Sequence, residues 1–260
     1  MNSSFANFWM IFADLVVPVF SGVVFLALAR YVAHIAPMRT LVTGQLTYRG
    51  ATWGFALAGI YLLMRPVQVL MGGHVLGLTI NNLREFVMVG IFAPAVFIAM
   101  FSLCLGSENL PKFFSRTTLT LGVLIGAFFV YVNTSQVGGS EQLFSAQQMM
   151  ESGPRTLFLI RLVSPVALLF IAGGLIFFHA SHYPEFKKQV YNNMPKKLYF
   201  LGAAVYAFAI PLLISTYLYQ KTGLPEAWRI YYLGTFLSGI LETISLSLPL
   251  RREVQISEHL

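Results

Sequence analysis

The sequence predicts an all-α fold, a polytopic membrane bundle of seven transmembrane helices with its N-terminus outside and its C-terminus inside. Composition is the first observation: 57% of the 260 residues are apolar, only 10% are charged, and mean hydropathy is +0.70. Soluble domains carry about 25% charged residues. Segment length is the second, because crossing the hydrocarbon core takes about 20 apolar residues per helix. Seven segments qualify, at roughly 12–35, 51–71, 85–105, 117–136, 156–179, 198–219 and 229–249. The third is the placement of basic residues, which concentrate in alternate connections.

The first segment follows "MNSSFANFWM", which has no basic n-region, and it contains Asp14. It is therefore read as a retained span rather than a cleaved signal. The second carries Arg65 and Pro66 within "YLLMRPVQVL" and the small-residue step Gly50–Gly54. The third opens on Arg84 and Glu85 and ends near Cys104, the only cysteine, which excludes a disulfide framework. The fourth holds Gly122–Gly126 at GxxxG spacing and Asn133 near its end. Such steps let helix backbones approach closely in lipid; packing inside one bundle is the first expectation and a homodimer the second. The fifth carries Arg161 in "LFLIRLVSP" and closes on "HASHYPE". The sixth contains Pro211, and the seventh starts near Arg229 and holds Glu242. Residues 1–250 read as the membrane domain and 251–260 as a cytoplasmic tail, the start of a signalling helix.

Orientation follows from lysine and arginine placement. With the N-terminus outside, the inner side holds eleven basic residues: Arg30, Arg39, Arg49, Lys112, Arg116, Lys187, Lys188, Lys196, Lys197, Arg251 and Arg252. The outer side holds four, Arg84, Arg155, Lys221 and Arg229. The net charge of +7 is thereby absorbed by topology and contacts to anionic membrane lipid rather than by nucleic acid.

Ionisable residues at membrane depth are expensive and face the bundle interior or a water-filled cavity. Asp14, Arg65, Arg161 and Glu242 are four such residues, and Arg84, Glu85, Asn133 and Arg229 lie near the level of the first three. One reading is an outward-facing pocket with excess positive charge for a small anionic or amphipathic ligand, since the planar guanidinium fork suits carboxylate and phosphate. The other is internal ion pairing, Asp14 with Arg65 and Glu85 with Arg161. A separate candidate is a metal site from His34, His179, His182 and Glu185 at the inner end, which would make the chain a membrane enzyme or redox subunit. No metal or other cofactor is expected, because these histidines sit at headgroup level. A transporter or a structural subunit of a membrane complex is a further alternative, although no internal repeat supports the former.

The seventh segment reads "YYLGTFLSGILETISLSLPLRREVQ". Leu241, Glu242, Ser245, Leu246, Ser247, Leu248, Arg251 and Arg252 give it a leucine–serine run ending in paired arginines. It resembles the last helix of the bacterial seven-transmembrane receptors with diverse intracellular signalling modules. The resemblance covers about 25 residues there, and elsewhere the topology only; Pro249 departs from the expected continuous helix. It implies an inner-membrane sensory module with no catalysis of its own. Ligand binding would move the last helix, with Glu242, Arg251 and Arg252 passing the change to a cytoplasmic signalling domain or partner. Ten residues beyond the membrane are too few for such a domain, so the output is expected further along a longer chain or on a partner.

Overall fold

The computed structural model describes residues 8–9, 11–43, 45–71, 75–105, 112–137, 155–184, 193–222, 224 and 226–248. Among them are seven helices and no strand. Helix α1 begins with a π-helical turn, Phe12–Val16, and continues through Val17–Thr43. Helix α2 is Gln45–Leu70. Helix α3 runs from Val75–Phe86 through a π-helical stretch, Val87–Phe92, into Ala93–Leu105. Helix α4 is Lys112–Val137. Helix α5 joins Arg155–Arg161, a π-helical turn at Leu162–Val166, and Ala167–Ser181. Helices α6 and α7 are Met194–Thr222 and Ala227–Ser247.

The first six are long and apolar enough to cross a membrane, which makes this a multi-pass membrane protein. Helix α7, at 21 residues, is about 31 Å long, enough for a hydrocarbon core of about 30 Å. Its polar residues Thr235, Ser238, Glu242 and Ser245 all point inward and are buried. Thr235 and Ser245 donate to the carbonyls of Tyr232 (2.7 Å) and Lys197 (2.8 Å), so these hydroxyls are satisfied without water.

Successive helices run antiparallel; the end where α1 begins is here the upper end. The most extensive pairings are α6 with α7 and α1 with α2. At the lower end Thr47 donates to Ser102 (3.1 Å), tying α2 to α3. There too the buried Lys197 of α6 donates to the Leu246 carbonyl of α7 (3.3 Å). Helix α4 is the least buried of the six and presents Leu121, Val123, Leu124, Phe128 and Tyr131 outward. It attaches through Gly122 and Gly126. A β-carbon on Gly122 would sit 2.6 Å from the Gly90 carbonyl oxygen, and one on Gly126 2.9 Å from the Gly90 α-carbon. The Gly122–Gly126 step is therefore filled from within the chain, by α3.

Helix α1 runs eight residues past the expected 35 and α2 begins six before the expected 51; the largest difference is at the third segment. The third segment was expected to begin at 85, but α3 begins ten residues earlier. Leu76, Leu78, Ile80 and Leu83 continue an apolar helix around Asn81 and Asn82, and Arg84 and Glu85 therefore lie inside the helix rather than opening it. The long connection 138–154, the tail with Arg251 and Arg252, and Glu185 lie outside the described residues.

Candidate functional site: an arginine layer at the upper end

Three π-helical turns fall at one level of the bundle, and each adjoins a charged residue. Asp14 lies inside the first, Arg84 and Glu85 lie three and two residues before the second, and Arg161 immediately precedes the third. A π turn inserts a residue into the α repeat, re-aims the side chains around it, and is frequent at functional sites. Two of the turns are bonded together: Ser164 in α5 donates to the Val89 carbonyl in α3 at 2.7 Å. Prolines explain part of this looseness, because Pro165 and Pro94 each lack the N–H that an α-helical ladder requires.

Around these turns lie four guanidiniums and two carboxylates. Asp14, 6% exposed, receives Arg65 Nη2 on Oδ1 at 2.8 Å and Arg229 Nε on Oδ2 at 3.0 Å. One acid thereby clips α1 to α2 and α7. Glu85 Oε2 receives Arg161 Nε at 3.1 Å, joining α3 to α5. Arg84 is 2% exposed, and its described partners are neutral. Its Nε donates to the Tyr61 carbonyl (3.0 Å), one Nη to Gln68 Oε1, and the other to the Tyr232 hydroxyl (3.1 Å). Gln68 also accepts from Arg65 (3.2 Å) and donates to Asn81 (2.7 Å). Charge-assisted bonds of this kind let a buried guanidinium persist where an unpaired one would not.

Aromatic rings cover the guanidinium faces. Arg84 lies 4.3 Å from the Tyr61 ring centre and Arg65 5.2 Å from that of Tyr232. Arg161 is flanked by Phe129 (5.0 Å) and Trp228 (5.1 Å). Arg161 and Arg229 meet their acids through Nε alone; their Nη groups donate no hydrogen bond among the described residues. Arg65 Nε is buried without an acceptor among the described residues.

Asp14, Arg65, Arg84, Glu85, Arg161 and Arg229 are thus brought to one level, with Asp14–Arg65 and Glu85–Arg161 bonded directly. Asn133 lies apart from the arginines, donating to Asn82 at 2.5 Å, while Asn82 donates to Thr134 at 3.1 Å. Sequence reasoning missed Gln68, Asn81, Tyr61 and Tyr232. Gln68 and Asn81 had a signal, since each lies three residues from a buried arginine and so on its helical face.

The other candidates separate from this layer. Glu242 is buried on α7, 13 residues and about 20 Å below Arg229, and its Oε2 finds no hydrogen-bond partner among the described residues. His34 is exposed on α1, His179 packs edge-on against Tyr183 (5.8 Å), and His182 Nδ1 lies 3.0 Å from the Phe178 carbonyl. Among the described residues no three of His, Cys, Asp and Glu come together as metal ligands.

No protein-family model, no curated protein and no solved structure matches this chain.

Proposed function

We propose that the chain is a seven-span sensory module of a bacterial inner membrane, N-terminus outside, whose upper arginine layer receives a small carboxylate or phosphate. The observation that carries this reading is the half-engaged state of two guanidiniums. Arg161 and Arg229 each turn Nε onto an acid and leave the Nη pair unbonded among the described residues, at side-chain exposures of 14% and 16%. An Nη pair is the geometry that binds a carboxylate or phosphate bidentately. With four guanidiniums against two carboxylates among the described residues, an anion neutralises charge rather than adding to it.

Aromatic contacts lead from the layer into the middle of the bundle. Tyr231 of α7 meets Tyr61 edge-on (6.2 Å), Phe208 of α6 meets Tyr231 (5.3 Å), and Phe92 of α3 meets Phe208 (5.1 Å). Arg84 rests on Tyr61, so a ligand that redistributes the arginine bonds changes the top of this stack. The ligand shifts the bundle only in so far as it binds two packings unequally, and the polar, inward-facing α7 is the element that would carry the difference. The leucine–serine run and paired arginines at its end support an output beyond the membrane.

The test is a panel of anions offered to the purified protein in lipid nanodiscs: inorganic phosphate, glycerol phosphate, and carboxylates from acetate to decanoate, with the matching amides as uncharged controls. A saturable rise in Tm for a carboxylate or phosphate, absent with the amide and lost in Arg229→Gln, is expected. Equal responses to acid and amide would remove the anion reading.

A further inference from the structure

Below the aromatic stack, between α1, α2, α3, α5, α6 and α7, lies a cavity of about 460 Å³, counting the space at its mouth. Its lining is almost wholly apolar; Phe25, Phe55, Phe92 and Phe208 form much of the wall, and Ser238 and Glu242 are its polar members. The phenylalanines are paired, Phe25 with Phe55 at 6.2 Å and Phe92 with Phe208 at 5.1 Å between ring centres. Glu242 is 7% exposed, and its Oε2 has no donor among the described residues.

We infer that this cavity is a second binding site, distinct from the arginine layer, for a lipophilic amine carrying its cation on a narrow apolar tail. The chemistry is the converse of the upper site. An acid in an apolar cavity lacks a donor, and aromatic rings present negative faces, so both favour a cation over an anion or a neutral group. Small-molecule sites are mostly apolar with a few placed polar groups, and this lining has that make-up. An ammonium donates to Oε2 while its tail takes the space between the phenylalanines. A carboxylate of the same length would place a second acid beside Glu242 and supply no donor, and an alcohol would give one uncharged hydrogen bond.

The site does not depend on the anion reading, and its test uses different ligands. Equilibrium dialysis of n-octylamine against the protein in zwitterionic nanodiscs, with empty nanodiscs as reference, is expected to show saturable binding at one site per chain. Octanol and octanoate should bind about tenfold more weakly or worse, and Glu242→Gln should lower octylamine affinity by about tenfold. Ala51→Leu, which adds bulk at another lining position, should weaken octylamine binding while leaving Glu242 intact. Octanol binding as tightly as octylamine, undiminished octylamine binding by folded Glu242→Gln, or no saturable octylamine binding would each overturn the inference. The amine–alcohol comparison on the unaltered protein decides it even if both variants fail to fold.

Discussion

Replacing Asp14 with asparagine removes the one carboxylate that holds two arginines, Arg65 at 2.8 Å and Arg229 at 3.0 Å. Breaking a buried ion pair from one side costs about 3–5 kcal/mol, because the partner charge stays buried without compensation. Both guanidiniums keep some exposure, at 15% and 16%, and asparagine retains one acceptor oxygen, so the low end applies, about 3 kcal/mol. Arg65→Gln should be milder, about 1–1.5 kcal/mol, since Asp14 keeps Arg229 and Gln68 keeps Arg84. The double variant Asp14→Asn with Arg65→Gln should cost about 1 kcal/mol less than the two changes added. Equilibrium unfolding in mixed micelles, followed by circular dichroism, measures all three. An Asp14→Asn cost within about 0.5 kcal/mol of Arg65→Gln, or strict additivity within the same margin, would refute the shared-acid reasoning.

Gly122→Val should destabilise the α3–α4 contact by about 1–3 kcal/mol, because the new β-carbon meets the Gly90 backbone 2.6 Å away; a thermal melt checks it. Gly54→Ala, which meets only the Val96 side chain at 3.2 Å, should be nearly neutral in the same melt. Ser164→Ala should cost about 1 kcal/mol by leaving the Val89 carbonyl without its 2.7 Å donor, read by the same unfolding titration. For topology, a reporter within 183–196 or after Leu260 should be cytoplasmic and one within 138–153 external; an external signal from 183–196 would reverse the orientation.

What the sequence made legible was set by cost. Runs of apolar residues long enough to span hydrocarbon announce themselves, and six helices follow them closely. Asp14–Arg65 and Glu85–Arg161 were nameable as pairs because a buried charge demands a partner and few partners existed. The π turns were not legible, since one inserted residue leaves the apolar pattern almost unchanged while re-aiming Asp14, Glu85 and Arg161. Arg84 was misplaced because the apolar helix begins ten residues before the expected start. Read as the start of a span, it is instead buried and held by a backbone carbonyl, a glutamine and a tyrosine, and backbone carbonyls have no sequence signature. GxxxG spacing marked Gly122 and Gly126 as close-approach points, but nothing in their own segment named Gly90 as the backbone they meet. Glu242 was visible as a buried acid; the apolar cavity around it depends on six helices at once and is invisible to any single one.

Whether the arginine layer receives an anion or only braces the bundle is decided most directly by exchanging fork for point charge. Arg161→Lys and Arg229→Lys keep a cation beside Glu85 and Asp14 but remove bidentate donation. For the anion that stabilises the unaltered protein, isothermal titration should show each folded variant binding about tenfold more weakly or worse, from loss of one charged hydrogen bond. Affinity unchanged in both lysine variants would contradict the claim and leave the layer a structural clasp.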